Sequence, residues 1–328
     1  MRIITLEEHI SFPALASLIP AETLAARSIE RSPMIKRVAE ELADVSNQRL
    51  VSMDKNGISM QVLSVIGAGA ELLEPAAAKD FAALYNDTLA AAIAPYPFRF
   101  TAFAHLPMTS PEAAADELER ACTQHGFCGA FINGLTQGSF LDDPQFAPVL
   151  QRAERLDVPI YLHPGLPLKA VVDAYYSGLP GNAGGVLATS GWGWHSETAI
   201  HILRLIISGT LDRYPRLKLI IGHMGEMLPG MMARCDQKFK PGQAGAHQRS
   251  ISQTLREQVY ITTSGMFTLP PLYMALETFG LNNILFSVDY PFSTNEEGKA
   301  MLDSFPLSHQ EIVQIAHQNA DRLLKLPR

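Results

Sequence analysis

The chain has 328 residues, of which 47% are apolar and 18% are charged, a composition that excludes a disordered protein. Its 26 Lys and Arg side chains against 33 Asp and Glu give a net charge of -7, so the basic excess that nucleic-acid binding requires is missing and no such partner is expected. The three cysteines fit neither a disulfide framework nor a zinc ribbon, which favours a reducing compartment.

No targeting or membrane-spanning segment is predicted. The N-terminus reaches Glu7 and Glu8 before a signal-peptide core could form. No apolar run reaches the roughly 18 residues that a spanning helix needs. We therefore expect a cytoplasmic protein that does not bind membranes.

Short apolar segments alternate with amphipathic helical segments along the whole chain. The predicted strands are Ile3–Thr5, Met60–Val65, Arg99–Ala104, Gly129–Ile132, Ile160–Leu162, Leu217–Ile221, Val259–Thr263 and Ile284–Ser287. The predicted helices include Met34–Asn56, Ala76–Ile93, Pro111–His125, Ala147–Leu156 and Glu197–Ser208. This alternation predicts an α/β fold of the (β/α)₈ TIM-barrel type, which typically needs about 250 residues.

We expect a single barrel domain spanning residues 1–328, with the extra length in loop insertions at 13–30, 166–193 and 238–253. A doubly wound parallel sheet is the alternative α/β fold. No predicted strand is followed by a G-x-G-x-x-G segment, so the nucleotide-binding pattern typical of that fold is missing.

Side chains of the kind that bind metals follow several predicted strands. In such barrels the chemistry takes place at the C-terminal ends of the strands. Glu7 and His9 follow the first strand, and their i, i+2 spacing points both to one face while Glu8 faces away. Later strands end in Asn133, His163, His223 and Asp289. Carboxylates and imidazoles on one rim predict a divalent-metal site.

Each of these residues also has a structural explanation when taken alone. A lone histidine after a strand is often a structural group, as we expect for His105, and Asp289 alone could cap the next segment. Metal-type side chains at equivalent depth on four strands favour a functional set. Trp194 and His195, in Gly-Trp-Gly-Trp-His, are predicted either to pack or to contact substrate from a loop over the barrel mouth.

Four segments carry a resemblance to a known family. They are Leu6-Glu7-Glu8-His9, Tyr161-Leu162-His163-Pro164, Ile221-Gly222-His223-Met224-Gly225-Glu226 and Phe286-Ser287-Val288-Asp289-Tyr290-Pro291-Phe292. In this order they resemble the amidohydrolase-2 branch of the amidohydrolase superfamily, and within it the γ-resorcylate and other phenolic-acid decarboxylases. The Glu-x-His start, in place of His-x-His, favours the phenolic-acid side of the family.

The resemblance implies a barrel enzyme with one divalent metal ion, zinc or manganese. Its ligands would be Glu7, His9, His163 and Asp289. His223 and Glu226 would form a neighbouring acid/base pair through their i, i+3 spacing at the start of a helix.

The resemblance also implies contacts with a small aromatic carboxylate. The predicted substrate-binding residues are Asn133, Trp194, Arg234 and Phe292. Arg234 would reach the substrate of a second subunit, since family members assemble in this way, so a homodimer or homotetramer is expected.

Three segments depart from the family pattern. Met266 stands where resorcylate-type enzymes tend to have Asn, residues 65–70 lack the usual small-Pro-Gly/Ala pattern, and Gly165-Leu166-Pro167 replaces a more polar stretch. All three are candidates to line the pocket, so the particular aromatic acid stays open. The fourth strand ends in Asn133 rather than in the lysine that bridges two metals elsewhere in the superfamily, which favours a mononuclear site.

The predicted activity is the metal-dependent, non-oxidative decarboxylation of a hydroxylated aromatic acid such as γ-resorcylate or another dihydroxybenzoate. The metal would act as Lewis acid and template, and Asp289 would deliver a proton to the ring carbon bearing the carboxylate. The alternative is a mononuclear metal-dependent hydrolase of a lactone, ester or amide, because the same ligands serve both chemistries.

Overall fold

The computed structural model describes residues 1–21, 33–66 and 69–327. Its strands are β1 (Ile4–Ile10), β2 (Met60–Val65), β3 (Phe100–Ala102), β4 (Ala104–His105), β5 (Ala130–Asn133), β6 (Ile160–His163), β7 (Leu219–Ile221), β8 (Val259–Thr262) and β9 (Ile284–Leu285). All paired strands are parallel, in two sheets with the orders β1-β2-β3 and β4-β5-β6-β7-β8-β9.

The helices alternate with these strands. They occupy Pro13–Ala16, Pro33–Ala43, Gln48–Lys55, Pro75–Ile93, Pro111–Gln124, Ala147–Leu156, Lys169–Val171, Ala183–Ala188, Gly193–Ile207, Thr210–Arg213, Met232–Lys238, Ile251–Gln258, Leu269–Phe279, Asn295–Asp303, His309–Val313 and Asn319–Leu324. A large apolar cluster of buried side chains from both strands and helices packs the helices against the strands.

β3 and β4 are two parts of one barrel position. The amide of Phe103, which lies between them, donates to the carbonyl of Leu63 (2.9 Å), and the amide of Ala104 donates to the carbonyl of Gly129 (2.8 Å). The segment therefore leaves β2 and joins β5, which connects the two sheets. Each predicted strand coincides with an observed one, and the predicted (β/α)₈ barrel is confirmed.

The barrel closes through the segment that follows β9. The amide of His9 donates to the carbonyl of Tyr290 (2.7 Å), and the amide of Glu7 donates to Ser287 Oγ (2.7 Å). These bonds hold the residues after β9 against β1. Asp289 lies between the two bonded positions and therefore stands at the rim beside Glu7 and His9.

Alternate residues of the strands fill the barrel interior. Their buried apolar side chains include Ile4, Leu6, Met60, Val62, Phe103, Phe131, Tyr161, Ile220 and Leu285. Because side chains alternate along a strand, residues two positions further on point into the same interior nearer the C-terminal rim. Ser64, Asn133 and His163 occupy such positions.

β1 contains an irregularity that affects the rim. Its register against β2 shifts by one residue between Thr5 and Glu8, as in a β-bulge. Because of the extra residue, two consecutive side chains point to the same face of the strand. Leu6 can therefore join the interior apolar cluster while the next residue, Glu7, also points to the interior.

The helix predicted over Met34–Asn56 is interrupted in the structure. Two helices, Pro33–Ala43 and Gln48–Lys55, replace it. The Asp44 carboxylate accepts hydrogen bonds from the amides of Asn47 (2.7 Å) and Arg49 (3.0 Å). These side-chain bonds compete with helical ones and turn the chain between the two helices.

The helix predicted from Glu197 begins earlier than expected. It starts at Gly193, so Trp194 and His195 stand in its first turn rather than in a loop. This correction fixes the direction of both side chains relative to the barrel.

The predicted insertions at 166–193 and 238–253 are described, whereas that at 13–30 is described only as far as residue 21. Residues 67 and 68 of the 65–70 segment also lie outside the described residues. Among the helices of the described ranges, none combines the length and the apolar character needed to cross a membrane.

Candidate metal centre and active site

Three buried side chains meet at the C-terminal rim of the barrel. One potential ligand atom each of Glu7, His9 and His163 lies within 4.8 Å of the others, and Glu7 Oε1 is 3.3 Å from His163 Nε2. Glu7 Oε1 and His9 Nε2 are buried and have no hydrogen-bond partner within the described residues. Such atoms cost free energy unless a cation compensates them, and a carboxylate with two imidazoles suits Zn²⁺ or Mn²⁺.

The other carboxylate oxygen of Glu7 is engaged by the protein. Tyr161 Oη and Thr262 Oγ1 both donate to Glu7 Oε2, the latter over 3.1 Å. Gly222 leaves room for this carboxylate, since a Cβ at that position would lie 2.7 Å from Oε2. Oε1 is therefore the oxygen that remains available to a cation.

Each histidine of the cluster is oriented by its second nitrogen. His9 Nδ1 lies 3.1 Å from Ser64 Oγ, and His163 Nδ1 lies 2.8 Å from the carbonyl oxygen of Pro164. Both rings thus present Nε2 to the cluster. Burial lowers the pKa of His9 to about 4 and that of His163 to about 3, which keeps both rings in the neutral form that binds metals.

Asp289 joins this cluster from the segment after β9. Its Oδ1 lies 3.1 Å from His9 Nε2. Its backbone φ of 74° is in the left-handed region, which is uncommon for residues other than glycine. Burial and the neighbouring charge of Glu7 raise the pKa of the Asp289 carboxyl well above its usual value.

Glu8, on the opposite face of β1, holds the backbone around Asp289. The Glu8 carboxylate is fully buried and accepts hydrogen bonds from the amides of Val288 (3.0 Å) and Tyr290 (3.1 Å). It also accepts one from the Ser287 hydroxyl (2.9 Å). The two amides flank Asp289, so Glu8 stabilises the left-handed conformation at the rim.

His223 and Glu226 are brought together by a left-handed turn, not by the predicted start of a helix. The backbone φ is positive at His223 (49°), Met224 (56°), Gly225 (88°) and Glu226 (52°). The predicted contact nevertheless forms, with His223 Nδ1 2.7 Å from Glu226 Oε1. His223 Nε2 then faces the metal cluster, 3.8 Å from Glu7 Oε1.

The His223–Glu226 pair is charged near pH 7. Burial works against the charge of Glu226, but His223 and His195 outweigh it and lower the pKa of Glu226 to about 2. Burial likewise opposes the charge of His223, but Glu226 and Glu7 raise the pKa of His223 to about 10. The rim thus carries a carboxylate and an imidazolium beside the metal cluster.

His195 also contacts the His223–Glu226 pair. Its Nδ1 lies 2.6 Å from Glu226 Oε2. By distance alone His195, His223 and Glu226 form a second group able to hold a metal. Since each carboxylate oxygen already lies at hydrogen-bond distance from a ring nitrogen, we interpret them as a hydrogen-bonded set.

Three of the four predicted substrate-binding residues lie at the cluster. The Phe292 ring stands edge-on to His9 at 5.6 Å, and the Trp194 ring lies 6.5 Å from His163, both between ring centroids. Trp194 Nε1 is buried without a hydrogen-bond partner among the described residues. Asn133 stands opposite His163 in the register of β5 and β6.

Arg234 lies outside this group. It is exposed on the helix Met232–Lys238, where its Nη1 donates to Gln237 Oε1 (3.1 Å). No hydrogen bond or ion pair joins it to the metal cluster in the described part of the same chain. Its action on the substrate of a second subunit stays a prediction.

Of the segments that depart from the family pattern, Met266 is half-buried against the large apolar cluster that strands and helices share. Gly165 packs on the backbone of Gly134. A Cβ on Gly165 would lie 2.8 Å from the Cα of Gly134.

The sequence contained a signal for one residue that was not predicted. Tyr161 precedes His163 by two positions in the same strand, so the alternation of side chains places both on the inner face. No comparable local signal pointed to the role of Glu8 or to the contact between His195 and Glu226, which are 31 residues apart.

Sequence comparison identifies a family model and relatives that are similar to the chain. A family model described as amidohydrolase matches residues 41–326. The chain is 38% identical over 332 residues to the decarboxylase orsB of Emericella nidulans. This alignment covers 99% of this chain and 97% of that protein.

Two crystal structures have a similar fold over nearly the whole chain. A 2,6-dihydroxybenzoate decarboxylase complexed with 2,6-dihydroxybenzoate has a TM-score of 0.88 and 35% identity, covering 99% of this chain and 100% of that one. A dihydroxybenzoic acid decarboxylase from Polaromonas sp., with bound manganese and the inhibitor 2-nitroresorcinol, has a TM-score of 0.87 and 34% identity, covering 99% and 97%.

Proposed function

The chain belongs to the amidohydrolase family and is a decarboxylase, and we propose that it removes CO₂ from a hydroxylated aromatic acid such as γ-resorcylate (2,6-dihydroxybenzoate). The observation that carries this proposal is that two buried atoms, Glu7 Oε1 and His9 Nε2, have no hydrogen bond within the described residues, while the acid Asp289 lies 3.1 Å from His9 Nε2. A cation site next to a carboxylic acid is what non-oxidative decarboxylation of a phenolic acid requires.

We assign the single divalent metal ion to Glu7, His9, His163 and Asp289. When bound, the ion supplies Lewis-acid stabilisation of the substrate's carboxylate and phenolate charge and fixes the position of the ring. Glu7 contributes Oε1, because Tyr161 and Thr262 occupy its other oxygen.

The two histidine ligands should bind Mn²⁺ without releasing protons near pH 7. With pKa values of about 4 for His9 and about 3 for His163, both rings stay neutral well into the acid range. Asp289, whose pKa is raised, is the ligand that must lose a proton, so the Mn²⁺ affinity of the wild type should fall as the pH falls.

Titration calorimetry of Asp289→Asn measures how Mn²⁺ binding by the two histidine ligands depends on pH, without the contribution of the Asp289 carboxyl. We expect the affinity of this variant, although lower at every pH, to change less than about 3-fold between about pH 7.5 and about pH 5.5. A decline centred near the ordinary histidine pKa of about 6.5 would contradict the low values for His9 and His163.

The surroundings of the cluster suit an aromatic acid. The rings of Phe131 and Phe292 stand edge-on to His9 at 5.7 and 5.6 Å, so apolar rings flank the metal cluster as a substrate ring requires. We assign the indole N–H of Trp194, which has no hydrogen-bond partner among the described residues, and the amide of Asn133 to substrate oxygens. Arg234 is assigned to the substrate carboxylate of a partner subunit.

Asp289, which releases a proton when the metal ion binds, takes one up again in the substrate complex and transfers it to the ring carbon that bears the carboxylate. A C–H bond forms at that carbon with an electron pair from the ring, while the O–H bond of Asp289 breaks. The C–C bond to the carboxylate then breaks, its electron pair restores the aromatic ring, and CO₂ leaves. Asp289 regains a proton from solvent, so each turnover consumes a proton and yields a phenol.

His223 supports this step from the other side of the cluster. Glu226 holds its Nδ1, so Nε2–H is directed toward the metal cluster. We assign this N–H to the phenolic oxygen of the substrate, whose developing charge the imidazolium stabilises.

Turnover by the Mn²⁺-loaded enzyme tests the proposal. Incubation with 2,6- and 2,3-dihydroxybenzoate should release CO₂ and the corresponding phenol, and a panel of lactones and esters should remain intact. Activity should disappear after dialysis against a chelator and return on addition of Mn²⁺. Hydrolysis of a lactone or ester without CO₂ release from any acid would instead identify a hydrolase.

A further inference from the structure

His195 lies on the solvent side of the His223–Glu226 pair. Its side chain is 16% exposed, whereas that of Glu226 is fully buried. His195 Nδ1 is 2.6 Å from Glu226 Oε2, and its ring stands edge-on to that of His223 with the centroids 4.9 Å apart. Two imidazoles therefore enclose one carboxylate, each at its own oxygen.

The second nitrogen of His195 contacts the backbone. His195 Nε2 lies 3.1 Å from the carbonyl oxygen of Ser190. Because a carboxylate only accepts hydrogen bonds, Nδ1 is the donor in the contact between His195 and Glu226. Without this donor, one oxygen of a buried carboxylate would have no partner, which costs free energy and leaves the side chain free to rotate.

The orientation of Glu226 determines that of His223. Glu226 Oε1 accepts from His223 Nδ1 over 2.7 Å, and this bond turns His223 Nε2 toward Glu7. Glu226 itself lies in a left-handed turn with φ 52°. The two histidines are the hydrogen-bond partners of its carboxylate within the described residues.

We propose that His195 is a positioning residue for the decarboxylation. It holds Glu226 by one oxygen, so that the other oxygen keeps the His223 ring directed at the substrate. The reaction in this inference rests on the proposed function, whereas the hydrogen-bonded arrangement does not.

Two variants distinguish the two nitrogens of His195. Asparagine places an N–H near the position of Nδ1, and glutamine places one near that of Nε2. His195→Asn should retain kcat within about 5-fold, whereas His195→Gln and His195→Ala should lower kcat about 10- to 100-fold with KM changed less than about 3-fold. Ser196→Ala, at the next residue of the same helix, is the control expected to match the wild type.

The order of these activities decides the role of His195. Wild-type kcat in His195→Ala, or equal losses in the asparagine and alanine variants, would overturn the proposal. Higher activity in His195→Gln than in His195→Asn would also overturn it, because the bond to Ser190 would then be the important one. Melting temperature and bound Mn²⁺ are measured for each variant, so that losses of fold or metal are identified separately.

A spectroscopic measurement tests the arrangement without turnover. In Zn²⁺-loaded protein labelled with ¹⁵N-histidine, the two Nδ1–H protons bound to Glu226 should give downfield ¹H signals. His195→Asn should remove one signal and leave the other in place, whereas His195→Ala should also shift the remaining one. An unshifted His223 signal in His195→Ala would overturn the positioning role. Both signals in a wild type that decarboxylates no aromatic acid would place the failure in the proposed function.

Discussion

Asp289→Asn should abolish decarboxylation while the enzyme still binds its aromatic acid. The amide cannot donate the proton that the ring carbon must receive, yet it has the size of the acid and can keep an oxygen near His9 Nε2, which lies 3.1 Å from Oδ1 in the wild type. Since general acids contribute roughly 10²- to 10⁴-fold to a rate, we expect kcat to fall at least about 10³-fold and substrate Kd to change less than about 10-fold. CO₂ release and an ultraviolet difference titration measure the two quantities.

Controls separate proton transfer from metal binding. The wild type and Asp289→Asn are compared at saturating Mn²⁺, and the bound metal is determined by elemental analysis. Asp303→Asn makes the same chemical change at an exposed ion pair with Lys299, at the end of the helix Asn295–Asp303, and should match the wild type. Near-normal CO₂ release by Asp289→Asn would show that another group delivers the proton.

The barrel could be predicted because its strands are short apolar runs with turn residues between them. The i, i+2 rule correctly placed Glu7 and His9 on one face. The same rule correctly placed Glu8 on the other face, but it carried no information about what Glu8 meets there. Its partners, the amides around Asp289, come from the opposite end of the chain.

The geometry of the acid/base pair could not be predicted from spacing. An i, i+3 pair is typical of a helix, but His223 and Glu226 meet across a left-handed turn. Of the residues in this turn only Gly225 favours positive φ, so the backbone preferences of the individual residues did not predict a left-handed turn. The conformation depends on contacts with distant residues, among them His195, which meets Glu226 across 31 positions of the sequence.

The role of a histidine depended on its surroundings rather than on its place after a strand or in a loop. His105 was expected to be structural, and its buried Nε2 accepts a hydrogen bond from the Ala70 amide (2.9 Å). The sequence allows His195 either to pack or to contact substrate, and the structure places it against Glu226 instead. What distinguishes the two is the partner that each ring meets, which depends on tertiary structure.

Loss of the Glu7 charge should remove the metal. Glu7 Oε1 lies 3.3 Å from His163 Nε2 and 3.8 Å from His223 Nε2 and has no hydrogen-bond partner of its own among the described residues. Glu7→Gln keeps the size of the side chain but removes the negative charge that a divalent cation needs in this buried position. We expect Mn²⁺ affinity to fall beyond the roughly 10- to 100-fold typical of losing a residue that merely holds a ligand, and activity at stoichiometric Mn²⁺ to disappear.

Tyr161→Phe supplies the matched comparison, because it changes only how the carboxylate is held. It removes one donor to Glu7 Oε2 and leaves the bond from Thr262 (3.1 Å) in place. Titration calorimetry should show a loss of Mn²⁺ affinity of about 10-fold, clearly smaller than that of Glu7→Gln, with circular dichroism confirming the fold of both variants. Wild-type affinity in Glu7→Gln would show that this carboxylate is not a ligand. Equal losses in the two variants would mean that the position of the carboxylate, rather than its charge, limits metal binding.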